Sequence, residues 1–194
     1  MGWFLHKIRT TLWTWFYYVF MRLFFNRLGK GCTFEGWIEI PQRSGRIVLG
    51  DRVYVCRRTT WLVLDGATLS LGNDVFIGPG VIISAHRAIS IGNDSLVAEY
   101  VSIYDNEHGW ADMRKPIREQ GYTKATCTIG NGCWIGAGAK ILIGGALGDD
   151  CILGAGTILK KSIPPGVVAA GVPARIIKHR DTPSGSEQTS HLES

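Results

Sequence analysis

Among the five histidines of this 194-residue chain, His108 stands where proton transfer is chemically feasible. It follows Asp105 and Glu107 in the stretch Asp-Asn-Glu-His-Gly-Trp-Ala-Asp-Met-Arg-Lys-Pro-Ile-Arg-Glu-Gln-Gly-Tyr. An imidazole with an ordinary pKa near ~6.5 can accept a proton at neutral pH and hand it back. Asp105 or Glu107 could orient such a ring, as could a backbone carbonyl. A second histidine, His86, lies in Ser84-Ala85-His86-Arg87; it could contact a polar ligand or simply occupy a corner turn. A loop histidine taken alone is usually a solvated surface residue, so the elements around His108 decide its meaning. The five cysteines, Cys32, Cys56, Cys127, Cys133 and Cys151, show no metal-ligand spacing. They read as small, buried, reduced residues, which points to a reducing compartment.

The element that must position these groups is a repeat. Ile129, Ile135, Ile141, Leu147, Leu153 and Leu159 recur every six residues without a break. Two positions before each stands a small residue: Cys127, Cys133, Ala139, Gly145, Cys151 and Thr157. Leu71, Ile77 and Ile83 keep the same period, as do Ile91, Val97 and Ile103 after a two-residue slip, and Leu49, Val55 and Trp61 suggest an incipient first coil. A period of six is neither a helix face nor plain strand alternation. It fits a short strand and a turn, repeated three times to close a triangular coil, with one aliphatic side chain per unit filling the interior. Stacked coils then share one continuous core. Such a solenoid, about five coils from Ile47 to Thr157, also accounts for the 25 glycines, since every corner needs a tight turn. The repeat breaks at length once, between Asp105 and Cys127, around His108, and a long excursion from a regular solenoid is usually functional.

In this repeat region, over residues 45–178, the chain resembles the hexapeptide-repeat acyltransferases. The resemblance is carried by Trp134-Ile135-Gly136-Ala137-Gly138-Ala139, Leu153-Gly154-Ala155-Gly156-Thr157, Ile163-Pro164-Pro165-Gly166 and Ala170-Gly171-Val172-Pro173-Ala174-Arg175. In kind it is nearest to the galactoside, maltose and polysaccharide O-acetyltransferases. It implies an all-β solenoid, a left-handed parallel β-helix, and an acetyl-CoA-dependent O-acetyltransferase that assembles as a trimer with sites between subunits. It implies that His108 is the general base and Asp105 a catalytic or substrate-binding partner. His86 matches a position that often contacts the acceptor. Ala137 and Ala155 match positions that meet the pantetheine arm of coenzyme A. Lys160, Lys161 and Arg175 match positions near its nucleotide and phosphates, although relatives often carry Thr where Lys160 stands. Trp134 is expected beside the thioester or the acceptor. Small residues allow an extended arm to approach, and three cations suit polyanionic phosphates.

The acceptor implied is a sugar hydroxyl, in cell-surface polysaccharide or lipid-linked glycan biosynthesis. An amino-sugar N-acetyltransferase and a non-catalytic β-helical scaffold are the alternatives. Serine acetyltransferase-like activity is disfavoured, because that group carries a larger helical domain before its repeats. The same fold carries zinc carbonic anhydrases, but those need three histidine ligands, two of them five residues apart; here Met113 occupies that position, so no metal is expected.

The remaining segments place the chain in the cell. Residues 1–34 hold Lys7, Arg9, Arg22, Arg27 and Lys30 and no acid, so the net charge of +5 belongs to the N-terminus and not to the repeats. That argues against a nucleic-acid-binding body. Over residues 3–28, Lys7, Thr11, Thr14, Tyr18, Arg22 and Asn26 form one narrow polar stripe, and Phe4, Leu5, Ile8, Leu12, Trp15, Phe16, Val19 and Leu23 fill the remainder. Arg22 interrupts a run too short to span a bilayer, and no small-residue cleavage site follows it. The pattern predicts an amphipathic helix over residues 1–31, in the membrane interface or against protein, with a linker near Gly29–Gly31. The domain would then run over 32–179, closed by a C-terminal cap through Lys178, with a disordered tail over 180–194. The expected location is cytoplasmic, on the inner face of the cytoplasmic membrane.

Overall fold

The computed structural model describes residues 19–41 and 44–180. Most of the expected N-terminal helix and nearly all of the expected tail lie outside these residues. What is described is an all-β parallel solenoid of six complete three-strand coils and two strands of a seventh.

The chain visits three parallel sheets in turn. The first receives Arg27–Leu28, Arg46–Leu49, Thr68–Leu71, Ala88–Ile91, Thr126–Ile129, Ala146–Leu147 and Ser162–Ile163. The second runs from Thr33–Phe34 to Val167–Ala170, and the third from Ile38–Glu39 to Ile158–Leu159. The six-residue period now has a spatial meaning. Ile129 pairs with Leu147, Ile135 with Leu153 and Ile141 with Leu159, so each repeated aliphatic stacks on its counterpart one coil away. All six are buried, as are Leu49, Val55 and Trp61. Each fully enclosed Ile or Leu contributes roughly 1.5–3 kcal/mol of burial. Alternate residues such as Trp134 and Lys140 face outward.

The corner between the first and second sheets explains the recurring Gly-Asn and Gly-Asp pairs. The Asp51 side-chain Oδ1 accepts the backbone N–H of Lys30 at 2.8 Å, and Asn73 does the same for Asp51 at 2.8 Å. Asn93 serves Asn73 at 2.7 Å, Asn131 serves Asn93 at 2.9 Å, and Asp149 serves Asn131 at 2.7 Å. This ladder satisfies a corner N–H that no strand pairs with. It also dictates glycine before each rung: a Cβ on Gly72 would lie 2.6 Å from the Asn93 Oδ1.

The solenoid starts earlier than the aliphatic repeat suggests. Arg27–Leu28 pairs with Val48–Leu49, and Thr33–Phe34 with Tyr54–Val55. The expected linker at Gly29–Gly31 is therefore the first corner, with Gly31 at φ +70°. Phe34 takes the interior position with Cys32 two residues before it, both buried. The six-residue spacing was present there, but with an aromatic in the aliphatic's place. Val19–Met21 is helical, and its end turns inward. Met21 and Phe25 are buried, and the Phe25 ring lies 5.9 Å from both Phe34 and Trp61. These two side chains cover the open end of the solenoid, while Val19 and Leu23 of the expected apolar face stay exposed. At the other end Arg175–His179 folds back antiparallel on Val167–Ala170. No helix among the described residues is long and apolar enough to cross a membrane.

Candidate active site

The corner from the third sheet to the first carries the histidines. Strand Ile82–Ala85 ends in the His86–Arg87 turn, and one coil later strand Ser102–Tyr104 ends at Asp105. Asp105 is fully enclosed. Its Oδ1 accepts the His86 backbone N–H at 2.7 Å and its Oδ2 accepts that of Arg87 at 2.8 Å. Asn106 Nδ2 donates to the Ser84 carbonyl at 3.1 Å. The carboxylate expected to orient His108 or touch the acceptor has both oxygens engaged by the backbone of the preceding turn. Burial forces this, since an enclosed carboxylate must find donors and the two turn N–H groups are the nearest.

The excursion leaves at Asn106 and returns at Ala125, whose N–H bonds to the Asp105 carbonyl at 2.8 Å. Its base is an antiparallel ribbon of Asn106–His108 and Tyr122–Lys124, in which His108 stands opposite Tyr122. His108 is exposed. The Tyr122 ring lies 4.3 Å from the His108 ring, and 4.7 Å from the His86 ring in an edge-on arrangement. Beyond the ribbon, Gln120 pins the loop by bonds with Asp112 and Lys115, while Trp110 and Met113 project outward.

His86 is buried, and its Nδ1 has no hydrogen-bond partner. Burial holds its pKa below the usual histidine value; Asp105 pulls the other way, and Lys124 and His108 add to the lowering. The ring is therefore neutral at pH 7. Sequence reasoning singled out both histidines and Asp105 but not Tyr122, whose meaning appears only once the ribbon sets it across from His108.

A second cluster forms two coils further on. Lys160 and Lys161 follow the last strand of the third sheet at the same corner, and with Arg175, Ser162, Pro173 and Ala174 they line a cleft of about 350 Å³. Ala137 and Ala155 stack at the other edge of the third sheet, where the Gly156 N–H bonds to the Ala137 carbonyl at 2.8 Å. A Cβ on Gly138 or Gly156 would meet nothing within 4 Å, so this edge is bare. Trp134 is 51% exposed, facing outward from the second sheet between Leu96 and Ile152. Thus the three cations converge, the two alanines stack, and the lysines lie on the same corner as the histidines, with the Asp105 turn two strand spacings, roughly 10 Å, from the Lys160 turn and the His86 turn three spacings away. Among the described residues no group of three or more His, Cys, Asp or Glu side chains could hold a metal. Burial pushes the Cys127 thiol up to about 12 and that of Cys133 to about 11, so neither supplies a thiolate at neutral pH.

A three-sided parallel solenoid wound from six-residue units, with one histidine-bearing excursion, is the build of the hexapeptide-repeat proteins. No family model matches the chain. It is 31% identical over 153 residues to a probable acetyltransferase of Mycobacterium tuberculosis, covering 79% of this chain and 49% of that protein. It is 34% identical over 114 residues to galactoside O-acetyltransferase of Escherichia coli, covering 58% of this chain and 55% of the relative. The chain thus spans about half the length of these relatives. In fold it matches AntD, an N-acyltransferase from Bacillus cereus solved with dTDP and 3-hydroxybutyryl-CoA, with a TM-score of 0.73, 17% identity and coverage of 84% of this chain and 87% of that one. In sequence the chain is thus similar to acetyltransferases, and its fold is the one seen in the hexapeptide-repeat acyltransferases.

Proposed function

We propose that the protein transfers an acetyl group from acetyl-CoA to a sugar hydroxyl. The observation that carries this reading is the exposed His108, held at the base of the excursion, on the same corner as a cation-lined cleft. The acceptor hydroxyl is a poor nucleophile until its proton leaves. His108 takes that proton as the oxygen attacks the thioester carbon; the tetrahedral intermediate collapses, the C–S bond breaks, and the imidazolium returns the proton to the departing thiolate. Lys160, Lys161 and Arg175 fit the phosphates of coenzyme A, and the bare edge at Ala137 and Ala155 fits its pantetheine arm. Trp134 packs toward the thioester end. Neutral His86, set by Asp105, offers a ring nitrogen to acceptor hydroxyls.

The test is purified protein with acetyl-CoA and a panel of sugars, with products read by mass spectrometry. His108→Ala should lower turnover by ~10²–10⁴-fold; wild-type rates in this variant would sink the assignment of the base. No coenzyme A binding at all would favour a scaffold. Amino-sugar N-acetylation is favoured as the second reading by the likeness to AntD, which has also been solved with dTDP-4-amino-4,6-dideoxyglucose. An alkali-stable product would select it, because amides survive where esters are cleaved.

The reading extends to assembly and place. The outward column of the second sheet is Thr33 in the first coil and then Tyr54, Phe76, Leu96, Trp134, Ile152 and Val168, aromatic or aliphatic in six successive coils. Such a face supports a closed trimer with the donor groove between subunits. A monomer in light scattering would refute it. Five free, buried cysteines suit a reducing compartment. With the cationic, aromatic N-terminus, this supports a peripheral protein on the inner face of the cytoplasmic membrane, near a lipid-linked glycan acceptor. Undiminished vesicle binding after removal of residues 1–18 would count against the membrane role.

A further inference from the structure

We propose that Tyr122 is the positioning residue for the His108 imidazole, supplying by ring contact the orientation that a carboxylate or carbonyl supplies to other catalytic histidines. The inference rests on the reading of His108 as the base and deepens it.

A general base works only if its acceptor nitrogen is held toward the proton, and an exposed imidazole is free to rotate about χ1 and χ2. Among the described residues no side chain or backbone group hydrogen-bonds to either ring nitrogen of His108. Asp105, the nearest carboxylate in sequence among buried residues, is committed to the backbone of His86 and Arg87. The packing partner that remains is the Tyr122 ring, 4.3 Å away at an interplanar angle of 37°.

That contact is fixed from three directions. The ribbon pairs Asn106 with Lys124, Glu107 with Thr123 and His108 with Tyr122, so the two rings stand opposite each other by register. The return of the chain is anchored by the Ala125 N–H on the Asp105 carbonyl. The Tyr122 ring also meets the His86 ring edge-on at 4.7 Å, and His86 is itself buried and tied to Asp105 through its backbone. Rigidity thus passes from the solenoid through Asp105 and His86 to Tyr122, and from there to His108. Elsewhere the ribbon is polar, with Asn106, Glu107, Thr123 and Lys124, so no other side chain on it can offer a flat ring. Among the described residues neither His108 nitrogen has a hydrogen-bond partner, which leaves one to take the acceptor proton.

The test uses full-length protein with acetyl-CoA and an accepted sugar, comparing Tyr122→Phe, Tyr122→Leu, Tyr122→Ala, His108→Ala and the His108→Ala/Tyr122→Ala double variant. Losing the ring should cost on the order of 10²-fold in kcat, the scale of a small misplacement of a catalytic group, with KM for acetyl-CoA unchanged. Tyr122→Phe, which keeps the ring, should retain near wild-type kcat. Tyr122→Leu, which fills space without a flat ring, should behave as Tyr122→Ala and guards against a folding artefact. In the His108→Ala background the Tyr122→Ala change should add no further loss, because Tyr122 acts only through His108. A full additional loss in that background, or a Phe variant as poor as Ala, would overturn the proposal. Should His108→Ala alone leave turnover intact, the fault would lie with His108 as base.

Discussion

His86 and His108 are the same side chain in opposite surroundings, and the difference sets their roles. His108 is exposed at the base of the excursion. His86 is enclosed, and burial lowers its pKa. The sign of the stability effect follows. Above the unfolded-state pKa of ~6.5 neither folded nor unfolded His86 is charged, and its neutral burial is harmless. As pH falls through that value the unfolded chain gains a proton that the folded protein resists, so stability falls with pH. His86→Gln should flatten this acid-side loss in denaturation midpoints measured between about pH 7 and 5; an unchanged slope would show that His86 is not its source. The same neighbourhood marks the limit of the sequence. His108 was legible because the six-residue count fails around it. Asp105 and Glu107 flank it alike, and only three-dimensional register shows Asp105 turned under His86 and His108 facing Tyr122. Those contacts cross a ribbon and a coil, and no local spacing encodes them.

The six-residue unit is the most legible element. One interior aliphatic per unit maps directly onto the stacked columns, and the small residue two positions earlier maps onto the corner. Ile135 is fully enclosed between Val97 and Leu153, so Ile135→Ala should destabilise by about 2–5 kcal/mol. Lys140, facing out in the same coil, should tolerate Ala within about 0.5 kcal/mol. Chemical denaturation compares the two directly, and equal costs would contradict the inward and outward alternation. The first coil was harder to read because Phe34 fills the aliphatic position and an aromatic-rich helical pattern runs up to its edge. The corner ladder was hidden for a different reason. Asn and Asp after Gly signal a turn in any fold, and only stacking reveals that Asn93 serves Asn73. Asn93→Ala leaves that corner N–H unpaired and should cost about 1–3 kcal/mol, read in the same experiment.

Across the whole molecule, the ladder of Asp51, Asn73, Asn93, Asn131 and Asp149 makes the solenoid's length a quantised property. Each rung accepts a bond from the coil before it and can do so for any coil with the same corner. The spacing between Ile129 and Leu147 defines the smallest unit that preserves every rung. A second copy of residues 131–148 placed after Gly148 would therefore lengthen the solenoid by one step of roughly 4.8 Å without disturbing a corner or exposing the core. Circular dichroism should show it folded, with a denaturation midpoint at least equal to wild type. Yet Lys160, Lys161 and Arg175 would stand one step further from His108, and a donor whose pantetheine arm has fixed length could no longer reach both; turnover should collapse while nucleotide binding at the cleft persists. Full activity in that variant would mean the arm does not run along the coils. The fold thus acts as a ruled scale, on which evolution can move the chemical end relative to the anchoring end only by whole graduations, never by a fraction.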